Sequence, residues 1–124
     1  MLVLSLLFSM MKRARTSWIP SSLVELSATN LLEVACDAIR NSGEVSSARQ
    51  VIETVRELPI FIRWDLDEKL LVNAARFKSG FRISLADSVA LGLAVSRDAP
   101  LVTSDHHEFD PLAKAGFARF IWIR

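Results

Sequence analysis

The sequence predicts an α/β fold, a mainly parallel sheet flanked by helices. Three observations carry it. Short apolar runs rich in β-branched and aromatic residues recur along the chain, segments with helical apolar spacing separate them, and turn residues punctuate the whole length at regular intervals. Strands separated by helices pair in parallel through right-handed crossovers. At 124 residues the chain suits one domain with a single core, spanning 1–124.

The elements follow in order. Residues 1–16 read as a helix docked on the core, with a weak membrane anchor as the alternative. The apolar run Met1 to Met11 is far shorter than the roughly 20 residues a spanning helix needs. Its basic residues, Lys12, Arg13 and Arg15, follow the run, whereas a secretory signal places them before it. Pro20-Ser21-Ser22 breaks that helix from a strand at Leu23 to Leu26. A helix begins near Ala28, with Leu31, Leu32, Ala35 and Ile39 at helical spacing and Asn41-Ser42-Gly43 as its stop. Another runs from Ser46 or Ser47, with Val51, Val55 and Leu58 on one face, until Pro59.

Ile60 to Trp64 reads as a strand. Leu66 to Lys78 is an amphipathic helix ending before Gly80, and Ser84 opens a helix whose wide apolar stripe (Leu85, Ala86, Val89, Ala90, Leu93, Ala94) suits burial against a sheet. Pro100 to Thr103 is a short buried strand, Phe109 to Ala115 a helical turn, and Phe117 to Ile123 the last strand.

Composition narrows the function classes. Apolar residues make up 51% of the chain and charged residues 23%, an ordinary globular balance that excludes a disordered chain. A net charge of +1 gives no broad basic field, so nucleic acid would have to be met by a local patch. The single cysteine, Cys36, excludes an internal disulfide and a cysteine-type zinc site, and an intracellular, cytoplasmic compartment fits best. Cys36 itself reads as core filler.

The carboxylates that could carry chemistry stand at expected helix starts, two of them directly after candidate strands: Glu33, Asp87 and Asp105. In open α/β sheets ligands gather outside the carboxyl ends of the strands, so the three are expected to converge. Spacing alone leaves a second reading open. Asn30/Glu33, Ser84/Asp87 and Asp105/Glu108 each have the interval of a capping box, in which the acid serves the helix end. Only convergence separates the two, because carboxylates gathered at one point repel unless a hard cation such as Mg²⁺ or Mn²⁺ sits among them.

The blocks Ser27 to Val34, Ile83 to Ser88 and Pro100 to Asp105 resemble, in order, three acidic blocks of PIN-domain ribonucleases, nearest the VapC-like toxins of bacterial toxin–antitoxin pairs. The resemblance implies a three-layer α/β/α sandwich and metal-dependent endonucleolytic cleavage of RNA. It implies Mg²⁺ or Mn²⁺ held by Glu33, Asp87 and Asp105, with the hydroxyl of Thr103 or Ser104 in support. It also implies a small antitoxin as partner and a homodimer; the short N-terminal apolar run adds the expectation of no membrane partner. Proteins of that family open with a strand ending in Asp, and here no acid precedes Glu25, so the first strand is expected to be absent. The rival reading is a catalytically silent module that dimerises or pairs with an antitoxin.

The remaining candidates divide evenly or read as structural. Arg76, Lys78 and Arg82 form the best local basic cluster, either a solvated face or an RNA-phosphate contact. His106 and His107 adjoin Asp105, but neighbouring side chains point apart, so surface roles are expected of them. Glu108 and Asp110 are the nearer secondary ligands or caps. Trp64 and Trp122 are expected to pack at strand edges, and Trp18 has no defensible stacking pattern.

Overall fold

Four strands, all paired in parallel, and five helices alternate through residues 24–123, the part of the chain that the computed structural model describes. The expected opening helix, Pro20 to Ser22, Trp18 and Leu23 lie outside these residues, as does the expectation of an absent first strand. The chain divides into two compact units, Met1–Trp64 and Asp65–Arg124.

In the first unit, β1 (Glu25–Ser27) pairs with β2 (Phe61–Arg63), Leu26 opposite Ile62. Helices α1 (Ala28–Ser42) and α2 (Ser46–Arg56) make the connection. Ser27 does two jobs. Its backbone is still extended as the last strand residue, and its Oγ accepts the Thr29 N–H at 3.1 Å, satisfying a donor that the new helix leaves open. Gly43 ends α1 at φ 76°, a left-handed turn that closes its N–H onto the Ile39 carbonyl at 2.7 Å. Leu26, Leu31, Val34 and Val55 form the core, backed by Val51, Ile52, Ile60 and Ile62. Two expectations fail. Leu32 is exposed, and so is Trp64, whose ring lies 5.8 Å from the Arg56 guanidinium instead of packing inside.

The second unit holds α3 (Glu68–Gly80), α4 (Leu85–Ser96), β3 (Leu101–Thr103), α5 (His106–Ala115) and β4 (Phe120–Trp122). Helix α3 starts two residues later than its apolar pattern suggests. Asp67 is the cap, its Oδ1 accepting the Leu70 N–H at 2.9 Å, and Leu66 stays outside and exposed. Gly80 is the last helical residue, not the stop. The α4 stripe, expected to face a sheet, divides its contacts. Val89 and Leu93 pack with Leu70 and Ala74 of α3, while Leu91 joins Phe77, Ile83, Phe109 and Leu112 in a core that reaches Leu101 and Phe120. A helix apolar on so many sides is a buried one. A Cβ at Gly92 would lie 2.9 Å from the Ala74 backbone nitrogen, so only glycine allows α3 and α4 to approach this closely.

Strands β3 and β4 pair with Val102 opposite Ile121 and Thr103 opposite Trp122. Between them α5 is a full helix of 10 residues and not the short turn expected from Phe109, because Asp105 caps it and the helix starts at His106. Its end is again a left-handed glycine, Gly116 at φ 75°.

Candidate metal centre

Three strand-to-helix or loop-to-helix junctions decide where the acids stand. At the first, the sequence reading needs correcting. Ser27, not Asn30, caps α1; Asn30 is buried in its first turn, and Glu33 is the sixth helical residue, half-buried and beyond that first turn. The first turn of α1 holds no acid.

The other two junctions belong to the second unit and come together. Ser84 caps α4, its Oγ accepting the Asp87 N–H at 3.1 Å, so Asp87 sits in the first turn. Asp105 caps α5, its Oδ1 accepting the Glu108 N–H at 3.1 Å. The Asp105 N–H in turn donates to Thr103 Oγ1 at 3.1 Å. A full capping box would return the Glu108 carboxylate to that same N–H. Instead Glu108 reaches across to α4, where its Oε2 accepts the Ser84 N–H at 3.3 Å. The box is half-built, and the diverted acid meets Asp87. Ligand oxygens of Asp87, Asp105 and Glu108 all lie within 4.8 Å of one another.

Electrostatics record the crowding. Burial, then the hydrogen bond and the charge of Glu108, push the Asp87 carboxyl up to about 8, against a smaller opposing bond from Ser84 and with a further push from the Asp105 charge. Glu108 moves the other way, held below its ordinary range first by the hydrogen bond with Asp87. The Asp87–Glu108 pair therefore keeps one proton well above the usual carboxylate range. That proton does what a cation would do, neutralising repulsion at a common point. Three carboxylates offering only hard oxygen atoms fit a divalent ion of the Mg²⁺ or Mn²⁺ type, and no sulfur or imidazole ligand dilutes the set.

The structure brings together Asp87 and Asp105, two of the three acids expected to converge, and places Glu108, a secondary candidate in the sequence, in the same cluster. Its signal was visible as a three-residue step from Asp105 in one first turn, which puts both acids at the same helix end. Thr103 is buried and supports Asp105 through its hydroxyl; for Ser104 the carbonyl accepts the His106 N–H at 3.2 Å. Lys78, Arg76 and Arg82 are exposed. The Lys78 Nζ donates to the Ile83 carbonyl at 2.7 Å, bracing the turn before Ser84, and its charge acts on Glu108. His107 is exposed, whereas His106 stacks on Trp122 in the first turn of α5.

Comparison with known proteins fits this geometry. The family model described as PIN domain matches residues 11–115. The chain belongs to the PIN-domain family. PIN domains are generally nucleases, and the acidic cluster at the starts of α4 and α5 is the feature of this PIN domain suited to divalent metal. Among solved structures, a chain of a toxin–antitoxin complex from Klebsiella pneumoniae is similar at 18% identity, covering 86% of this chain and 84% of that one with a TM-score of 0.63. At that identity the likeness speaks for the fold. No curated protein matches the chain in sequence. Among the described residues, no helix of this PIN domain is long and apolar enough to cross a membrane.

Proposed function

We propose that this PIN domain is a toxin-type endoribonuclease that hydrolyses RNA phosphodiesters with Mg²⁺ or Mn²⁺ held by Asp87, Asp105 and Glu108. The observation that carries the reading is the convergence of these carboxylates to within 4.8 Å, at the cost of a retained proton on the Asp87–Glu108 pair. Helix capping does not explain it, since Ser84 and Asp105 already supply the caps and Glu108 leaves its own. When bound, the cation supplies neutralising charge at the scissile phosphate and a water made acidic enough to attack at neutral pH.

The chain's own residues do the positioning. Thr103 and the first turn of α5 fix Asp105, and Ser84 ties Glu108 to the start of α4. Glu33, in the first unit, is a further candidate acid by the resemblance of its block, and Ser104 is a candidate supporting hydroxyl beside Asp105. Arg76, Lys78 and Arg82 are assigned to RNA phosphates. The Klebsiella pneumoniae chain comes from a toxin–antitoxin complex, which supports pairing with an antitoxin; a small antitoxin, a cytoplasmic location and a homodimer are the arrangement we expect.

The test is cleavage of single-stranded RNA by the purified chain, with and without Mg²⁺ or Mn²⁺, against the Asp87→Asn variant. Cleavage that needs metal and disappears in the variant supports the reading. Metal-independent cleavage, or equal cleavage by both proteins, refutes it, and metal binding without any cleavage favours the silent binding module.

A further inference from the structure

The second unit carries a feature that metal binding does not use, a ladder of rings running out from the core. Phe109, almost fully buried, meets Phe120 at 5.6 Å; Phe120 stacks on Trp122 at 5.2 Å with 13° between planes; Trp122 stacks on His106 at 4.1 Å and 15°. The last ring faces water, since the His106 side chain is 47% exposed. It is also held in place, its Nδ1 lying 3.1 Å from Asp110 Oδ1 one turn along α5. Core packing accounts for Phe109 and Phe120. It does not account for a flat, oriented and solvent-facing imidazole at the end of the stack.

Its position is specific. Trp122 pairs with Thr103 across the strands, Thr103 Oγ1 accepts the Asp105 N–H, and His106 follows Asp105 directly. The carboxylates and the ring stack therefore flank one helix start, at the carboxyl ends of β3 and β4. Single-stranded RNA presents the matching pair of features, a phosphate for the acids' cation and an unstacked planar base beside it. Pre-ordered aromatic faces bind such bases without regard to sequence, because every base has a π-face.

We propose that His106, backed by Trp122, is a stacking ledge for a nucleobase adjoining the phosphate to be cut. This rests on the RNA-cleaving reading above. In the Asp87→Asn background, which keeps RNA intact, binding of a short labelled single-stranded RNA and of an abasic ribose-phosphate chain of equal length would be followed by fluorescence anisotropy. His106→Ala should weaken the base-bearing chain about tenfold and leave the abasic chain unchanged, and His106→Phe, which keeps a flat face, should restore binding. Melting temperatures of the variants identify any loss of folding, and rescue by phenylalanine separates stacking from it. Equal weakening of both chains, failure of His106→Phe to rescue, or no preference for the base-bearing chain before His106 is changed overturns the ledge. Cleavage is read separately, with Asp87 intact. If the chain never cuts RNA yet loses base-dependent binding with His106→Ala, the nuclease reading alone fails; if it cuts RNA and His106→Ala acts equally on both chains, the ledge alone fails.

Discussion

Two junctions in this molecule solve the same problem with different chemistry. At β1–α1 a strand runs into a helix and the hydroxyl of Ser27 accepts the orphan Thr29 N–H; at β3–α5 the carboxylate of Asp105 accepts that of Glu108. Both helices are capped, and both end on a left-handed glycine. A neutral cap therefore suffices in this chain. The acid at 105 makes the same kind of capping bond as serine, with a charge that also complements the helix dipole, and its ligand oxygen lies within 4.8 Å of those of two further carboxylates. The Asp87 carboxyl beside it is pushed up to about 8, by burial first and then by Glu108, and perturbed titration beside a specific charged partner marks functional positions more than structural ones. Capping accounts for the first junction completely and for the second only in part.

Removing the charge and keeping the cap breaks the comparison most sharply. Asp105→Asn retains a side-chain oxygen for the Glu108 N–H, so the melting temperature should hold within a few degrees. Metal-dependent RNA cleavage should fall by at least about a hundredfold, beyond the 10–100-fold cost of losing a ligand's outer partner. Unchanged cleavage would return Asp105 to the role of a cap. Next in size is a packing change further along the helix that carries Asp87. Gly92→Val places atoms against the Ala74 backbone nitrogen, where nothing flexible can give way, and should cost ~1–3 kcal/mol in urea denaturation. Then comes the neutral cap. Ser27→Ala should cost about 1 kcal/mol and leave cleavage per folded molecule unchanged. If Ser27→Ala and Asp105→Asn proved alike in both measurements, the two junctions would differ in nothing but residue type.

The same contrast explains what the sequence could and could not disclose. Helix existence was legible wherever apolar spacing and a stop agreed, as from Ala28 to Gly43, since both signals are local. Strand length was not. Ile60 to Trp64 and Phe117 to Ile123 each shrink to three paired residues because pairing depends on a partner elsewhere in the chain, and Trp64 turns outward to an arginine. Asp87 was legible as a first-turn acid and Asp105 as the acid that opens a helix, each within a recognisable block. Glu33 misled on spacing, because Asn30 looks like a cap when Ser27 is assigned to no element. Glu108 was undervalued for the opposite reason: its capping-box spacing is genuine, but its carboxylate goes to another helix, which no local pattern reveals.

The smallest effect, and the most specific, concerns pH. The Asp87 carboxyl titrates near 8 in the folded protein, from an ordinary value of 3.8. A raised folded value means that the native state binds more protons than the unfolded one between these limits. Its stabilising contribution is complete below about 4 and is lost as pH rises through about 8. Glu108 has the opposite sign: its lowered value contributes stability above its ordinary 4.5, lost as pH falls further. Without metal, melting temperature should therefore decline from mildly acidic pH toward pH 8. Because Asp87 is partly open to solvent, the slope should fall well short of the one-proton limit of about 1.4 kcal/mol per pH unit. Asp87→Asn removes the titrating group while its amide can still donate to Glu108, so its profile over the same range should be flatter. Mg²⁺ or Mn²⁺ should replace the shared proton, reducing the decline in the unaltered chain and doing little in the variant. The Ser27 junction, with no acid in its first turn, predicts no such dependence for Ser27→Ala: its whole profile should shift down in parallel. Parallel profiles for the unaltered chain and Asp87→Asn, with or without metal, would mean that the carboxylates share no proton, and the electrostatic distinction between the two junctions would be lost.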